Sequence, residues 1–269
     1  EPVSAQPGGR GGGAPRASPH PTPAPRRRPA RHRWACTLRG VHVAVIGGTG
    51  AEGFGLALRL ARAGHRVTIG SRSAERGADA AARAREVLRG DASVEGTDNA
   101  EAAAAAEMVV VTVPFAGQAE IYRSLKPHLP AGRIVVDATV PLATAVGRPA
   151  WQVVRPWEGS AAEQARAVLG DGPRLVAAFH TVAADALRDL ERPVESDVFV
   201  CGGDPEAKAA VGALVEGIPN LRWVDAGPLS MARLVEPLTA LLVSVNRNYG
   251  IHDAGFRVTG RDAWGAPGG

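Results

Sequence analysis

The sequence predicts an α/β protein built on a doubly wound, mostly parallel sheet with a small C-terminal helical part. Two observations support this fold class. An apolar segment, Val41 to Ile46, runs directly into a glycine-rich turn. Further apolar segments then alternate with segments of helical periodicity along the rest of the chain, which is typical of parallel strands joined by helices.

The glycine-rich turn has the spacing of a dinucleotide-binding fingerprint. Gly48, Gly50 and Gly53 match G-x-G-x-x-G between a predicted strand and a predicted helix. We expect Gly48 to permit the tight turn, Gly50 to admit a pyrophosphate close to the backbone, and Gly53 to bring the helix onto the strand. The pyrophosphate would then lie at the positive end of that helix, as in a Rossmann-type domain.

The end of the second predicted strand, Arg66 to Gly70, indicates which dinucleotide is bound. NAD enzymes usually carry Asp or Glu there, where it holds the ribose 2′-hydroxyl. This chain has no acid at that place; it has Ser71, Arg72 and Ser73, followed by Arg76. Hydroxyl and guanidinium groups suit a dianionic 2′-phosphate through charge-assisted hydrogen bonds. The sequence therefore predicts NADP(H) rather than NAD.

Five more strands are predicted where apolar runs end at turn or polar residues. These runs are Met108 to Val113, Ile134 to Ala138, Leu175 to Phe179, Val198 to Val200 and Arg222 to Asp225. A capping box that begins at Ser160 predicts a helix to Leu169, and an Asp204 N-cap predicts another to about Val215. The chain thus contains enough alternating elements for a large parallel sheet.

The loops after these strands are expected to form the ligand site. Ligands on such sheets bind beyond the carboxyl ends of the strands. We therefore expect four loops around one crevice, namely Pro114-Phe115, Val140-Pro141, His180-Thr181 and Asp225 to Pro228.

The last predicted helix carries an apolar stripe. Its members are Leu234, Leu238, Leu241, Leu242 and Val245. Pro237 either kinks or restarts this helix, and Arg233 and Glu236 have the i, i+3 spacing of a helical ion pair. An apolar helix of this length makes a homodimer a reasonable expectation.

Charge separates an N-terminal tail from the body of the chain. Residues 1–40 hold eight Arg and one acid, Glu1, whereas the remaining residues hold 23 Lys and Arg against 26 Asp and Glu. The high pI therefore belongs to the tail, and no basic stripe marks the body as a nucleic-acid binder. The tail is rich in Pro, Gly, Ala and Arg, so we expect it to be disordered.

These shifts in composition suggest a domain organisation. We divide the chain into a disordered tail (1–40), an NADP-binding Rossmann domain (41–182), a smaller C-terminal α/β part (183–262) and a disordered end (263–269). Cys36 and Cys201 are too few for a metal site or a disulfide framework. We therefore expect no metal and a reduced, cytoplasmic location. No apolar run is expected to reach membrane-spanning length, so we expect no membrane partner.

Nine motifs in order make the chain recognisable as a family member. They are Gly47-Gly-Thr-Gly50, Gly70-Ser-Arg72, Thr112-Val-Pro-Phe115, Val135-Val-Asp-Ala-Thr-Val-Pro141, Gly159-Ser-Ala-Ala-Glu163, Ala178-Phe-His-Thr181, Val200-Cys-Gly202, Asp225-Ala-Gly-Pro-Leu229 and Arg233-Leu-Val-Glu236. As a set spread over residues 41 to 260, they resemble the NADPH-dependent coenzyme F420 reductases. The resemblance implies reversible hydride transfer between C4 of the nicotinamide of NADPH and C5 of the deazaflavin coenzyme F420.

The resemblance and the fingerprint together assign site residues. Those expected to bind the NADP phosphates, the 2′-phosphate and the nicotinamide are Gly48, Thr49, Gly50, Ala51, Glu52, Gly53, Ser71, Arg72, Arg76, Pro114, Phe115 and Val140. Those expected on the substrate side are His180, Thr181, Gly227, Pro228 and Met231. The chain departs from the family pattern at Ala183, where a proline is expected, and in the segment from Ala143 to Trp157, which has no counterpart.

His180 is a weak candidate for a catalytic residue. A histidine at a strand end could protonate or steady the deazaflavin, but a hydrogen-bonded structural histidine is the favoured interpretation. Hydride transfer between two bound cofactors requires that the rings be positioned in a dry cleft and does not require a protein base.

Three other functions are compatible with parts of the sequence. Tyr122 and Lys126 have the Y-x-x-x-K spacing of short-chain dehydrogenases, but they arrive too early in the chain and are interpreted as an ordinary amphipathic helix. An NADPH-dependent reductase of a flavin or imino acid could use the same scaffold. A redox sensor that binds NADPH without catalysis would not need a pocket for a second cofactor.

Overall fold

The structure, a computed structural model, describes residues 40–90 and 92–260. In these ranges eight strands form one sheet. They are β1 (His42–Ile46), β2 (Arg66–Ser71), β3 (Val94–Asp98), β4 (Met108–Val111), β5 (Ile134–Asp137), β6 (Arg174–Ala177), β7 (Ser196–Gly202) and β8 (Leu221–Gly227). The expected disordered end lies outside the described residues, as does the expected tail except for Gly40.

The order of the strands fixes where a ligand can bind. The sheet has the order β3-β2-β1-β4-β5-β6-β7-β8, and the first six strands are parallel. This is the strand order of doubly wound dinucleotide-binding domains. Strand β7 pairs antiparallel with β6, and β8 runs parallel to β7. The carboxyl ends of β1 to β6 therefore share one edge of the sheet, and β7 and β8 end at the opposite edge.

Helices connect the strands and cover the sheet. They are α1 (Ala51–Arg62), α2 (Ala74–Leu88), α3 (Asn99–Ala105), α4 (Phe115–Leu125), α5 (Ala161–Leu169), α6 (Ala184–Arg188), α7 (Pro205–Glu216), α8 (Ala232–Val235) and α9 (Leu238–Tyr249). Both predicted side-chain caps are present. Ser160 Oγ accepts a hydrogen bond from the Glu163 N–H at 3.1 Å, and Asp204 Oδ1 accepts one from the Ala207 N–H at 3.0 Å.

The core lies on both faces of the sheet because successive strand residues point to opposite faces. In β1, Val43 and Val45 belong to the core that includes α1, α2 and α7. Ala44 and Ile46 belong to the core that includes α3, α4 and α5. Burial on both faces explains why the central strands read as continuous apolar runs in the sequence.

The predicted fold class is confirmed, with two differences in detail. Strand β3 was not predicted. The predicted boundary after residue 182 falls in the connection between β6 and α6, and the sheet continues across it through β7 and β8. The division into two parts stays a prediction.

The apolar stripe of the last helix is only partly buried. Helix α8 ends at Val235 and α9 starts after Pro237, so the proline restarts the helix. Leu242 is buried, whereas Leu234 and Leu241 are 65% and 52% exposed. Two of the five residues of the stripe, Leu234 and Leu241, therefore face outward.

One segment corrects the expectation that no apolar run is long enough to span a membrane. Leu229–Tyr249, which contains α8 and α9, has that length and a mean hydropathy of 1.2. A single helix of this kind is weak evidence for a membrane span, because core helices of soluble proteins pass the same test.

Candidate active site

A pocket of about 950 Å³ lies at the carboxyl edge of β1 to β6. It is walled by the loops after these strands and by helix α9. Of the predicted site residues, ten line it, namely Thr49, Gly50, Ala51, Glu52, Ser71, Arg72, Pro114, Val140, His180 and Thr181. We call this cavity the main pocket.

The glycine-rich turn forms one wall of the main pocket. Gly47 has the positive φ of the turn, +76°, and a Cβ on Gly48 would lie 2.8 Å from the Val45 carbonyl oxygen, so the tight turn requires Gly47 as well as the predicted Gly48. Gly53 fits its predicted role, because a Cβ there would lie 2.4 Å from Thr112 Oγ1. Gly50 is the N-cap of α1 and makes no side-chain cap, so the first N–H groups of the helix are left to bind an anion.

The end of β2 forms the next wall. Ser71 is buried and Arg72 is exposed, and both line the main pocket. Arg76 lies in the first turn of α2 and is exposed, but it does not line the pocket. Neither arginine forms an ion pair with an acid in the described part of the chain. Two such cations beside a buried hydroxyl fit a phosphate group.

A buried carboxylate supports the loop that carries Val140. Asp137, at the end of β5, accepts hydrogen bonds from Gln118 Nε2 at 3.0 Å, from the Tyr122 hydroxyl at 2.9 Å and from the Thr139 N–H at 3.4 Å. Burial raises the pKa of Asp137 to about 6. These contacts hold the Thr139–Val140 wall against α4. Pro114 also lines the main pocket, whereas Phe115 does not.

The same network excludes Tyr122 as a catalytic acid. Its hydroxyl is buried against Asp137, and burial raises its pKa further above the ordinary tyrosine value. Lys126 donates instead to the Val168 carbonyl at 2.8 Å. The Y-x-x-x-K spacing therefore belongs to a structural helix.

His180 is presented to the main pocket by an unusual backbone. Phe179, just before it, has a φ of +72°, a conformation that bulky residues rarely adopt. The Thr239 hydroxyl of α9 donates to the His180 carbonyl at 2.6 Å. Both ring nitrogens are buried without a hydrogen-bond partner in the described residues, which corrects the interpretation of a hydrogen-bonded structural histidine. Burial lowers the pKa of His180 to about 4, so the ring is neutral at neutral pH.

Helix α9 and the segment after it complete the main pocket, and the sequence did not predict this. Their lining residues are Thr239, Leu242, Val243, Asn246, His252 and Ala254. Ala183, the departure from the family pattern, also lines the pocket. The i, i+4 spacing of Leu242 and Asn246 places them on one face of the helix, but it does not show which part of the fold that face meets.

Three predicted substrate residues lie elsewhere. Gly227, Pro228 and Met231 do not line the main pocket. Gly227 is the last residue of β8, and Pro228 and Met231 follow it; β8 ends at the opposite edge of the sheet because β7 reverses direction. This corrects the expectation that the loop after Asp225 shares the crevice.

Side chains of α8 and the residue after it bind to α5, and the predicted ion pair between Arg233 and Glu236 does not form. Arg233 bonds to the Glu163 carboxylate at 2.6 and 2.7 Å. Glu236 accepts hydrogen bonds from the N–H groups of Ala161 and Ala162 at 2.8 and 3.0 Å. The expected Arg233–Glu236 pair is therefore wrong, because each side chain has a partner on α5.

Glu52 is the acid of the main pocket whose protonation is most perturbed. It lies in the first turn of α1, beside the expected phosphate site. Burial, with a contribution from the nearby Asp137 charge, raises the pKa of Glu52 to about 8. A protonated carboxyl there avoids a negative charge next to a phosphate. No group of three or more His, Cys, Asp or Glu in the described residues could hold a metal ion.

Comparison with known proteins agrees with this geometry. Residues 42–141 match a family described as NADP oxidoreductase coenzyme F420-dependent. The F420-dependent NADP reductase of Methanothermobacter marburgensis is 42% identical over 219 residues, which cover 81% of this chain and 97% of that protein. The enzyme of the same name from Methanocaldococcus jannaschii is 40% identical over 220 residues, with coverage of 81% and 97%.

Solved structures show the same fold. A protein of Arthrobacter sp. FB24 that carries a provisional F420-dependent NADP-reductase name superposes with a TM-score of 0.69 at 29% identity, over 82% of this chain and 100% of that one. The 3-hydroxyisobutyrate dehydrogenase of Mycobacterium tuberculosis, at 15% identity and a TM-score of 0.55 over 78% of this chain and 62% of that one, shares the fold alone. The full-length match to the curated enzymes shows that the chain belongs to the family of F420-dependent NADP reductases.

Proposed function

We propose that this chain is an oxidoreductase that transfers a hydride reversibly between NADPH and coenzyme F420. One observation carries the proposal. The main pocket joins an NADP-type phosphate site at the ends of β1 and β2 to a second half beyond Val140. At about 950 Å³ it lies at the upper end of the range for small-molecule pockets. A pocket of this size suits two ring systems placed against each other.

The first half of the pocket would bind NADPH through several elements. The uncapped start of α1, with Thr49, Gly50 and Ala51, would hold the pyrophosphate. Ser71 and Arg72, with Arg76 one turn further on, would hold the 2′-phosphate. Pro114 and Val140 would bound the nicotinamide. When bound, NADPH supplies the hydride, and the protein supplies position and a dry surrounding.

The second half of the pocket would receive the deazaflavin. Its walls include the apolar side chains Leu142, Val182, Leu242 and Val243, which exclude water from the space beside Val140. His180 and Thr181 lie in the same wall. A neutral His180 holds no proton to transfer as an imidazolium at neutral pH. This supports catalysis by positioning.

Turnover tests the proposal directly. The protein is mixed anaerobically with NADPH and oxidised coenzyme F420, and the loss of the deazaflavin absorbance is followed. We expect F420 reduction with NADPH and much slower reduction with NADH. Absence of turnover with F420, together with turnover on a free flavin or an imino acid, would show one of the alternative reductases. Binding of NADPH with no turnover on any acceptor would show a sensor.

We also propose a homodimer and a cytoplasmic location. The outward apolar stripe of α8 and α9, with Leu234 and Leu241 exposed, supports a contact between two copies. Cys201 is a free buried thiol, which is compatible with a reduced compartment.

A further inference from the structure

The chain that follows helix α9 closes part of the main pocket although it belongs to no helix or strand. We call residues 251–258 the C-terminal segment; His252 and Ala254 within it line the pocket. Helix α9 holds one point of it, because Asn246 Oδ1 accepts a hydrogen bond from the Ala254 N–H at 3.1 Å. A segment without regular backbone hydrogen bonds keeps its position only through contacts with its neighbours.

A buried carboxylate at the start of β7 provides the second attachment. Asp197 is 0% exposed, and because β7 runs antiparallel to β6, its first residues lie at the edge of the sheet that carries the main pocket. The Asp197 N–H donates to the Phe256 carbonyl at 2.7 Å, and Asp197 Oδ2 accepts from the Val258 N–H at 2.7 Å. Asp197 therefore holds the C-terminal segment through its backbone and through its side chain.

Arg257 completes this attachment from the side of the segment. Its guanidinium donates to Asp197 Oδ1 and to the Ser196 carbonyl, both at 3.1 Å, and to the Asn220 carbonyl at 2.8 Å. Arg222 of β8 also binds the Asp197 carboxylate, at 2.6 and 2.7 Å. Loss of the Arg257 side chain would therefore release the segment while a second cation still balances the buried charge of Asp197.

The attachment reaches the second half of the main pocket and not the phosphate site. The Thr181 hydroxyl, in the wall of the second half, donates to the Asp197 carbonyl at 3.3 Å. Three strands, β4, β5 and β6, separate β7 from β1, where the glycine-rich turn begins. A change at this attachment should therefore affect the second half of the pocket more than the first.

We propose that Arg257 is a positioning residue for the second substrate, which holds the C-terminal segment against Asp197 so that His252 and Ala254 wall the second half of the main pocket. The inference rests on the proposed function, which takes coenzyme F420 as the occupant of that half. Arg257 does not line the pocket, so it acts through the segment and not by touching the ring. A displaced segment would weaken binding of the deazaflavin and admit water beside it.

Kinetics and binding of Arg257→Met test this role. The dissociation constant for NADPH is measured by fluorescence titration without F420, and the KM and kcat for F420 are measured at saturating NADPH. We expect the KM for F420 to rise about ten-fold with a smaller change in kcat, because loss of a wall weakens binding of the substrate and of the transition state together. The dissociation constant for NADPH should change by less than about two-fold.

Arg66→Met is the matched control. Arg66 forms an exposed ion pair with Glu95 between β2 and β3, at the other end of the sheet, so its loss should leave all three quantities as in the wild type.

Amide hydrogen exchange, read by mass spectrometry, tests the attachment independently of turnover. Exchange across residues 251–258 should be faster in Arg257→Met than in the wild type or Arg66→Met, and exchange in β1 and β2 should be unchanged.

Three results would overturn the inference. Wild-type exchange across residues 251–258 in Arg257→Met would show that Arg257 does not hold the segment. An unchanged KM for F420 would show that the held segment does not serve the second substrate, and an equal loss of affinity for NADPH and F420 would show general damage to the fold. A wild type that does not reduce F420 with NADPH would instead refute the proposed function, and the role of Arg257 toward F420 with it, whatever the exchange result.

Discussion

Arg72 is the side chain on which discrimination between NADPH and NADH is expected to depend most. It lines the main pocket at the end of β2 and has no acid partner in the described residues. We expect Arg72→Asp to lose about 1.5–3 kcal/mol of interaction with the phosphate. This corresponds to roughly a ten- to hundred-fold lower kcat/KM with NADPH. The test is to measure kcat/KM with NADPH and with NADH for the wild type and the variant. Equal losses with both cofactors would contradict the role of Arg72 at the 2′-phosphate.

Glu52 should make NADPH binding depend on pH. Since its pKa is raised to about 8, the carboxyl is neutral below pH 8 and becomes a carboxylate beside the phosphates above it. If only the protonated form binds, the KM for NADPH should rise about ten-fold between pH 7 and pH 9. Glu52→Gln is neutral at every pH, so its profile should be flat over the same range. An equally steep rise in the glutamine variant would show that another group is responsible.

The raised pKa values also determine whether the folded protein becomes more or less stable as the pH rises. A carboxyl whose pKa is raised on folding stabilises the protein fully below its unfolded pKa, and that contribution is lost as the pH rises through the folded value. Glu52 and Glu236, both with a pKa raised to about 8 by burial, therefore make the protein less stable as the pH rises from about 5 to 9.

At the scale of the element, local signals were predictable and strand direction was not. The glycine-rich turn after β1, the end of β2 and the Ser160 cap each depend on a few consecutive residues, so the sequence predicted them. Strand β3 was missed because it reads Val-Glu-Gly-Thr-Asp and has little apolar character. Its composition follows from close packing, since a Cβ on Gly96 would lie 1.9 Å from the Gly77 carbonyl oxygen of α2.

The reversal of β7 explains the errors at the substrate side. Nothing in the local pattern of Val198 to Val200 distinguishes a parallel strand from an antiparallel one. Direction depends on the connection through α6, which returns the chain to the edge of the sheet where β6 ends. Helix α9, whose residues complete the main pocket, follows the reversed strands and could be placed only with the whole topology known.

Arg59 links helix α1 to the segment that carries α6. Because α6 contributes to the wall of the main pocket, loss of the Arg59 side chain should loosen that wall. It is 3% exposed, and its guanidinium donates to the carbonyls of Leu187, Ala186 and Arg192 at 2.9, 2.8 and 2.7 Å, and also to that of Asp189. Arg59→Met should leave these carbonyls without their donor and destabilise the protein by roughly 3 kcal/mol. Thermal unfolding should then show a Tm lower by about 6–12 °C.

The neighbouring Arg62 provides the control for this prediction. Its guanidinium makes one exposed hydrogen bond, to the Leu190 carbonyl at 2.7 Å, so Arg62→Met should change the Tm little. Ala184 and Asp185 of α6 line the main pocket, so Arg59→Met should raise the KM for F420 more than the KM for NADPH. Equal Tm values for the two variants would show that Arg59 does not hold the segment.

At the scale of the whole molecule, the outward face of α8 and α9 leaves large apolar side chains exposed in the described part of the chain. Leu234, Leu241 and Tyr249 are 65%, 52% and 78% exposed. Helix α9 uses its other face, with Leu242 and Asn246, to wall the main pocket. A contact between two copies through this helix would therefore support the pocket from behind as well as cover apolar surface.

Leu241→Glu tests whether this face joins two copies. A charge in the centre of an apolar contact is costly to bury, so we expect the wild type to be a dimer and the variant a monomer in size-exclusion chromatography with light scattering. Val87→Glu is the matched control, because Val87 is 47% exposed on α2, away from this face, and the variant should remain a dimer. We expect the monomeric variant to keep NADPH affinity and to lose F420 turnover, since α9 lines the second half of the pocket. A monomeric wild type, or a dimer that survives Leu241→Glu, would exclude this helix face as the interface.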